Sequence, residues 1–289
     1  MPRVFPRELF ETLPAAASNA YLGKPMKTPA NQLTKAPRTA LVTGAADRIG
    51  ATIAKALAKD GWQVVIHYRS SAEKAAATAA EIKAAGGAAA LVKADLAKRP
   101  QRAKLIAAAA KPFGPLTLLV NNASLFERDS VFDLSEDVWD AHFAVHVEAP
   151  AFLARDFVAR LPEGAQGNIV SIIDERVLDL SPAFFSYTLS KSALWTMTRT
   201  LAQSLAPRVR VNAIAPGPTV APPGVSPDGY KRRQAELPLG RGATPDEIAQ
   251  GVLMILSATS MTGQMIALDG GEHLEWPPRR GPTLRSPKK

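Results

Sequence analysis

The sequence predicts an α/β fold: a single doubly wound parallel sheet of about seven strands, flanked by helices. Three observations carry this. From residue 39 onward, short apolar runs alternate with Ala-rich helical stretches, and strands separated by helices build right-handed βαβ units. The apolar runs are continuous, as in strands covered on both faces. The first run leads into a glycine-containing turn that opens a helix. There is no internal repeat.

The elements follow in order. TALVT (39–43) is a strand, and RIGATIAKALAKDG (48–61) a helix ending at Gly61. WQVVIHY (62–68) is the second strand. SAEKAAATAAEIKAAGG (71–87) is a helix stopped by Gly86 and Gly87. AAALVKA (88–94) is the third strand, with a helix around 99–110 after it. LTLLV (116–120) is the fourth strand, followed by a long helical pattern over 135–161. NIVSII (168–173) is the fifth strand, 184–206 a long helix, and VRVNAI (209–214) the sixth strand. A Pro/Gly-rich loop covers 215–242. Thr244 then caps a helix, with Pro245 at its first position and Glu247 three residues on. QMIAL (264–268) closes the series.

The first turn, TGAADRIG (43–50), has the composition of a dinucleotide site. Gly44 permits the tight turn, Ala45 and Ala46 keep side chains short, and Gly50 lets the helix approach the strand. The N–H groups at the helix start are expected to receive a pyrophosphate, which makes the sheet Rossmann-type. The second strand ends in HYRSS (67–71), with no carboxylate to hold a ribose 2′-hydroxyl. Arg69 and Ser70 suit a 2′-phosphate instead, with Arg48 as a second phosphate ligand. The expected cofactor is therefore NADPH/NADP+. Asp95 after the third strand is assigned to the adenine side. Ile49, Tyr68 and Leu96 stand beside these positions and join the expected cofactor contacts.

Tyr187 and Lys191 lie at i, i+4 in SYTLSKSAL (186–194), on one face of a helix. An ammonium beside a phenol stabilises the phenolate, which is expected to bring Tyr187 into acid–base range. Asp174 precedes Tyr187 by thirteen positions.

With TGAADRIG, Asp95, VNNAS (120–124), the Tyr187/Lys191 pair, IAPGP (214–218) and TGQMIALDGG (262–271), the chain resembles the short-chain dehydrogenase/reductase family over roughly 39–275. The resemblance implies that Asn121 and Ala123 line the cofactor. It makes Tyr187 the proton donor or relay, and has Lys191 bind the nicotinamide ribose. Pro216, Gly217 and Pro218 would cover the nicotinamide. Three departures narrow it. Arg48 replaces the middle glycine of the turn. Asp174 stands where family members usually have Ser. His146, in AVHVEAP (144–150), stands where a catalytic Asn is usual. His146 is expected either to be a buried, hydrogen-bonded histidine or to hold the water that feeds Lys191.

The first two departures, with HYRSS and NNASLF (121–126), resemble pteridine reductases and the related dihydromonapterin and dihydrofolate reductases. That resemblance implies that Phe126 stacks on a pterin ring and that Ser124 touches pterin or cofactor phosphate. An aromatic face, a carboxylate and a hydroxyl suit a flat, amino-bearing heterocycle. The expected reaction is NADPH-dependent reduction of a C=N bond in a pterin or folate, with Asp174, Tyr187, Lys191 and His146 at the reacting end. Ser124, Phe126, Asp174, Tyr187 and Pro218 are the expected substrate contacts. The alternatives are a carbonyl reductase of 3-oxoacyl-thioester or sugar-alcohol type, and a non-catalytic NADPH-binding regulator. Trp139, Trp195 and the Phe184/Phe185 pair read as core or subunit packing.

Composition excludes other classes. The 289 residues contain no Cys, which rules out disulfides, thiolate metal sites and a cysteine nucleophile. The four histidines (67, 142, 146, 273) form no ligand-spaced cluster beyond the His142/His146 pair, which lacks the Glu of a zincin, so no metal is expected. No apolar run reaches membrane-spanning length and the start lacks a signal-peptide h-region, so no membrane and a cytoplasmic location are expected. The net charge of +9 divides into +4 in residues 1–38 and +5 in residues 276–289. The ends hold ten of the 24 prolines. They read as a basic Pro-rich N-terminal extension and a basic C-terminal tail around a neutral reductase domain (39–275), so no nucleic-acid partner is expected. The family resemblance implies a homotetramer, with GGEHLEWP (270–277) reaching a neighbouring subunit.

Overall fold

A computed structural model describes residues 38–222 and 224–274. The tails proposed for the two ends, apart from Arg38, lie outside the described residues, as do 275–277 of the segment assigned to a neighbouring subunit. Seven parallel strands form one sheet: β1 (Thr39–Val42), β2 (Gln63–Tyr68), β3 (Ala88–Lys93), β4 (Leu118–Asn121), β5 (Gly167–Ile172), β6 (Val209–Pro216) and β7 (Met265–Leu268). Their order is β3-β2-β1-β4-β5-β6-β7. Every strand lies within two residues of its sequence-based range.

Successive residues of each strand face opposite sides, and both sides are apolar. On one, Ala40, Val42, Val64, Ile66, Leu118 and Val120 pack under α1 (Arg48–Lys59), α2 (Ala72–Ala84) and, late in the chain, the helix Pro245–Ser257. On the other, Leu41, Val65, Leu119, Ile169 and Val211 meet α3 (Arg99–Ala109) and the helix Ala149–Arg160, through Leu105, Leu153 and Phe157. Burial on both faces is why the central strands read as mainly apolar runs, while the edge strand β3 is partly exposed on one face.

The helical pattern over 135–161 resolves into α4 (Glu136–Phe143), a π-helical turn (Ala144–Glu148) and α5 (Ala149–Arg160). Pro150 gives the reason. It has no N–H for the carbonyl of His146, and its ring would crowd that carbonyl in a regular helix. A wider turn ahead of it removes the conflict. The long helix α6 (Phe185–Leu205) follows as expected. The 215–242 segment is not wholly loop: it contains α7 (Pro227–Ala235), started by the Ser226 hydroxyl accepting the Gly229 N–H at 3.1 Å. No α7 residue is buried, so the sequence carried no apolar period there to read. The cap of α8 (Pro245–Ser257) is as expected. Thr244 Oγ1 accepts the Glu247 N–H at 3.2 Å, and Glu247 Oε2 accepts the Thr244 N–H at 2.8 Å.

Sequence order reverses between β1 and β4, which opens a crevice at the carboxyl ends of the strands. The seam there is polar. Thr43 Oγ1 donates to the Val120 carbonyl at 3.2 Å and accepts the N–H groups of Asn122 and Ala123 at 2.9 and 3.0 Å. Asn122 Nδ2 donates to the carbonyls of Thr43 and Gly44 at 2.9 and 3.1 Å. Helix α1 crosses this seam at Gly50, where a Cβ would lie 2.4 Å from both Asn122 Nδ2 and the Gly44 carbonyl oxygen. Gly50→Ala is therefore expected to lower stability by about 1–3 kcal/mol through overpacking. A urea unfolding midpoint equal to that of the unsubstituted protein would exclude so tight an approach.

Candidate active site

The crevice is a cleft of about 630 Å³. One half is built by the β1–α1 turn and the ends of β2 and β3. Gly44 has φ +64°, which only glycine adopts without strain. Its N–H donates to His67 Nδ1 at 3.0 Å. The Nε2–H of His67 then donates to the Ala94 carbonyl at 3.1 Å. Burial pushes His67 down to about 4, so it is neutral and ties the turn to β2 and β3. Nothing in the sequence pointed to this role. Arg48, Ile49, Tyr68, Arg69 and Ser70 all line the cleft. Asp95 and Leu96 close its far end. Arg48 has φ +54°, and its Nη2 donates to the carbonyls of Val220 and Ala221 at 3.1 and 3.2 Å. One guanidinium thus joins the first turn to the segment after β6.

The other half gathers residues from four elements. Asp174, just past β5, accepts the Arg176 N–H and Nη1–H on Oδ1 at 3.1 and 3.0 Å. On Oδ2 it accepts the Tyr187 hydroxyl at 2.7 Å. Lys191 is buried, and its Nζ donates to the Ile172 carbonyl at 3.0 Å and lies 5.6 Å from the centre of the Tyr187 ring. Ser124 and Phe126 come from the segment after β4, with Phe126 edge-on to Tyr187 at 4.9 Å. Pro216, Gly217 and Pro218 line the cleft from the end of β6, and Ala123 does so from just past β4.

Three readings differ from expectation, and His146 takes the first of its two alternatives. Asn121 does not line this cleft. It is buried below, bonded to Ser171 at 3.5 Å, and its neighbour Asn122 lines the cleft and holds the seam. The alternation of a strand end puts consecutive side chains on opposite sides. His146 stands behind the cleft wall as a buried, hydrogen-bonded histidine, the first of its two expected readings. Its nitrogens are taken by Ser124, the Leu125 N–H and Ser190, and the bond from Lys191 goes to Ile172. Phe184 is not packing alone. It stacks on Phe126 at 4.5 Å, with the Arg176 guanidinium 5.4 and 5.2 Å from the two ring centres. Phe184 has φ +62°, a conformation no sequence pattern announces for an aromatic residue.

The third difference is electrostatic. Burial raises the Tyr187 phenol well above 10, and the Asp174 carboxylate adds to this. The direction is opposite to that expected from Lys191. Lys191 itself is lowered to about 8 by burial, with Asp174 opposing. Glu175 is pushed up by burial and by the neighbouring Asp174 and Glu272, with the Arg176 guanidinium 3.2 Å from its Oε1 opposing. Tyr187 thus holds a proton that it presents to Asp174.

His67 carries a pH consequence. Its folded value of about 4 lies below the ordinary 6.5, so below pH 6.5 the unfolded chain takes up a proton that the folded chain refuses. Stability is complete above 6.5 and falls as pH drops toward 4, by roughly 3 kcal/mol from this group. Chemical unfolding at pH 7.5, 6 and 4.5 measures it. A His67→Gln protein showing the same pH slope as the unsubstituted one would assign the loss elsewhere.

A family model described as enoyl-(acyl carrier protein) reductase matches residues 44–273. The human dehydrogenase/reductase SDR family member 4 is 33% identical over 246 residues, covering 82% of this chain and 87% of the relative. Among solved structures, the FolM alternative dihydrofolate reductase 1 from Brucella suis in complex with NADP is 49% identical. Its TM-score is 0.81, with 84% of this chain and 97% of that one covered. The same enzyme from Brucella canis, complexed with NADP, is 48% identical with a TM-score of 0.82, covering 85% and 97%.

Proposed function

The chain belongs to the short-chain dehydrogenase/reductase family, and from that premise we propose that it is an NADPH-dependent reductase of a C=N bond in a pterin or dihydrofolate. The observation that carries this reading is Asp174, in the place where the family usually has Ser, bonded to Tyr187 at 2.7 Å. A carboxylate cannot donate a hydrogen bond to a carbonyl oxygen, but it accepts one from an amino-heterocycle. The stacked Phe126 and Phe184 beside it offer an apolar face of the right kind for a flat ring. The likeness to dihydrofolate reductases crystallised with NADP supports both substrate class and cofactor.

The donor set fits NADPH. Arg48, Arg69 and Ser70 supply charge and hydrogen bonds for a 2′-phosphate. Gly44 at positive φ makes the short turn that a pyrophosphate needs. When bound, NADPH supplies the hydride. The protein delivers the proton: Tyr187 gives its hydroxyl hydrogen to the substrate nitrogen as that nitrogen becomes basic, and a proton passed through Asp174 or water restores the phenol. Asp174 orients the phenol, and Arg176 fixes Asp174 through Oδ1. Lys191 would bind the nicotinamide ribose, as the family resemblance implies, and its bond to the Ile172 carbonyl holds the end of β5. We propose a cytoplasmic homotetramer, following the family resemblance, with no nucleic-acid or membrane partner. No described helix is long and apolar enough to cross a membrane.

The reading is tested with purified protein, NADPH and a panel of dihydrobiopterin, dihydrofolate, acetoacetyl thioester and crotonyl thioester, followed by NADPH absorbance. Turnover confined to the thioesters would sink it. Tyr187→Phe is expected to lower kcat by about 10²-fold or more with NADPH binding retained; near-normal turnover removes Tyr187 from the reaction. Arg69→Asp is expected to shift the preference from NADPH toward NADH, and an unchanged ratio of kcat/KM for the two cofactors would refute the 2′-phosphate assignment.

A further inference from the structure

Two buried histidines stand next to this site without touching the cleft. His142, on α4, and His146, in the π turn, have rings 5.5 Å apart and within 16° of parallel. They are connected in the same way. His146 Nε2 faces the Leu125 N–H at 3.2 Å, so that nitrogen is the acceptor. Its hydrogen is therefore on Nδ1, which donates to Ser190 Oγ at 2.8 Å. Ser190 passes its own hydrogen to the Tyr187 carbonyl at 2.7 Å. His142 Nε2 accepts the Glu127 N–H at 3.3 Å, and its Nδ1–H donates to Ser186 Oγ at 2.7 Å. Ser186 in turn donates its hydroxyl to Asp129, which also accepts the Ser186 N–H at 3.1 Å.

The spacing makes the two rungs compatible. Residues four apart on a helix are separated by about 6 Å along the axis, and alternate residues of an extended chain by about 6.6 Å. His142/His146 and Ser186/Ser190 are both four apart, and Leu125/Glu127 are alternate residues. The residue between those two amides is Phe126. Ser124, one position before Leu125, donates its hydrogen to His146 Nε2 at 2.9 Å, with its Oγ beside the Tyr187 hydroxyl. Both imidazoles stand edge-on to the Tyr187 ring, at 5.7 and 5.4 Å.

We propose that His142 and His146 are positioning residues, a two-rung clamp that fixes residues 124–127 against α6 in one register, so that Ser124 and Phe126 face Tyr187. The clamp needs neutral imidazoles, because a second ring hydrogen would oppose a backbone N–H. Burial supplies this, lowering both below 6.5, and the Lys191 ammonium lowers them further; around His142, Asp129 and Glu127 oppose the shift. What the register serves rests on the pterin or folate reading above; the clamp itself does not.

The test uses the full chain with NADPH bound. His146→Phe and His142→Phe keep a flat ring and remove both nitrogens. Hydrogen–deuterium exchange of the peptide covering 122–130 is expected to quicken by about tenfold in each, as for the loss of a buried amide bond, with the sheet strands unchanged. The KM for dihydrobiopterin is expected to rise more than kcat falls, and NADPH affinity to stay within about twofold, because cofactor contacts are elsewhere. His146→Asn, which restores a donor and an acceptor, is expected to recover part of the protection. Exchange that is unchanged, or that quickens equally throughout the molecule, overturns the clamp. Should the Phe variants fail to fold, Ser186→Ala and Ser190→Ala decide, since each removes only the anchoring hydroxyl. Because exchange is read without substrate, inactivity toward pterins would refute the functional reading and leave the clamp standing.

Discussion

The seam between β1 and β4 is the constraint on which the site depends. A parallel sheet brings all its carboxyl ends to one edge, but a cleft opens only where the connections part to left and right. Thr43 and Asn122 hold that point with five hydrogen bonds, each joining the end of one strand to the other. The glycine turn, the segment carrying Ser124 and Phe126, and the start of α1 are all positioned from it. Loosening this seam would shift the nucleotide half and the substrate half together.

The chemistry rests on a different balance. Burial opposes charge on Tyr187 and Lys191 alike, raising one group and lowering the other. Lys191, at about 8, is still an ammonium at neutral pH, and Asp174 and Arg176 neutralise each other across 3.0 Å. The result is a proton donor set beside a fixed acceptor in a buried wall. Such a wall keeps its polarity oriented before anything binds, the general requirement for electrostatic catalysis.

Most of the architecture was legible because both faces of the sheet are covered. Seven mainly apolar runs separated by helical stretches leave few alternatives, and the turn 43–50 fixed the cleft end. The nucleotide positions could be read because each follows directly on a strand: Arg69 and Ser70 after β2, Asp95 and Leu96 after β3. What stayed hidden depended on packing between distant segments. His67 holds Gly44 across 23 positions, and His142 meets Ser186 across 44; no local pattern encodes either. Asn121 and Asn122 differ only in which way a strand end points. Phe184 read as packing until its left-handed backbone turned the ring onto Phe126. α7 was missed for want of an apolar face.

That missing face sets the character of the wall over the substrate end. α7 is attached by polar links: Arg233 to Glu272 at 2.8 Å and Gln234 to the Pro218 carbonyl at 2.9 Å. Lifting it uncovers no hydrophobic core, so the free energy that keeps it down is decoupled from the free energy that keeps the sheet folded. The free energy of displacing α7 is therefore set by those polar links rather than by core burial, as for segments with few buried apolar contacts.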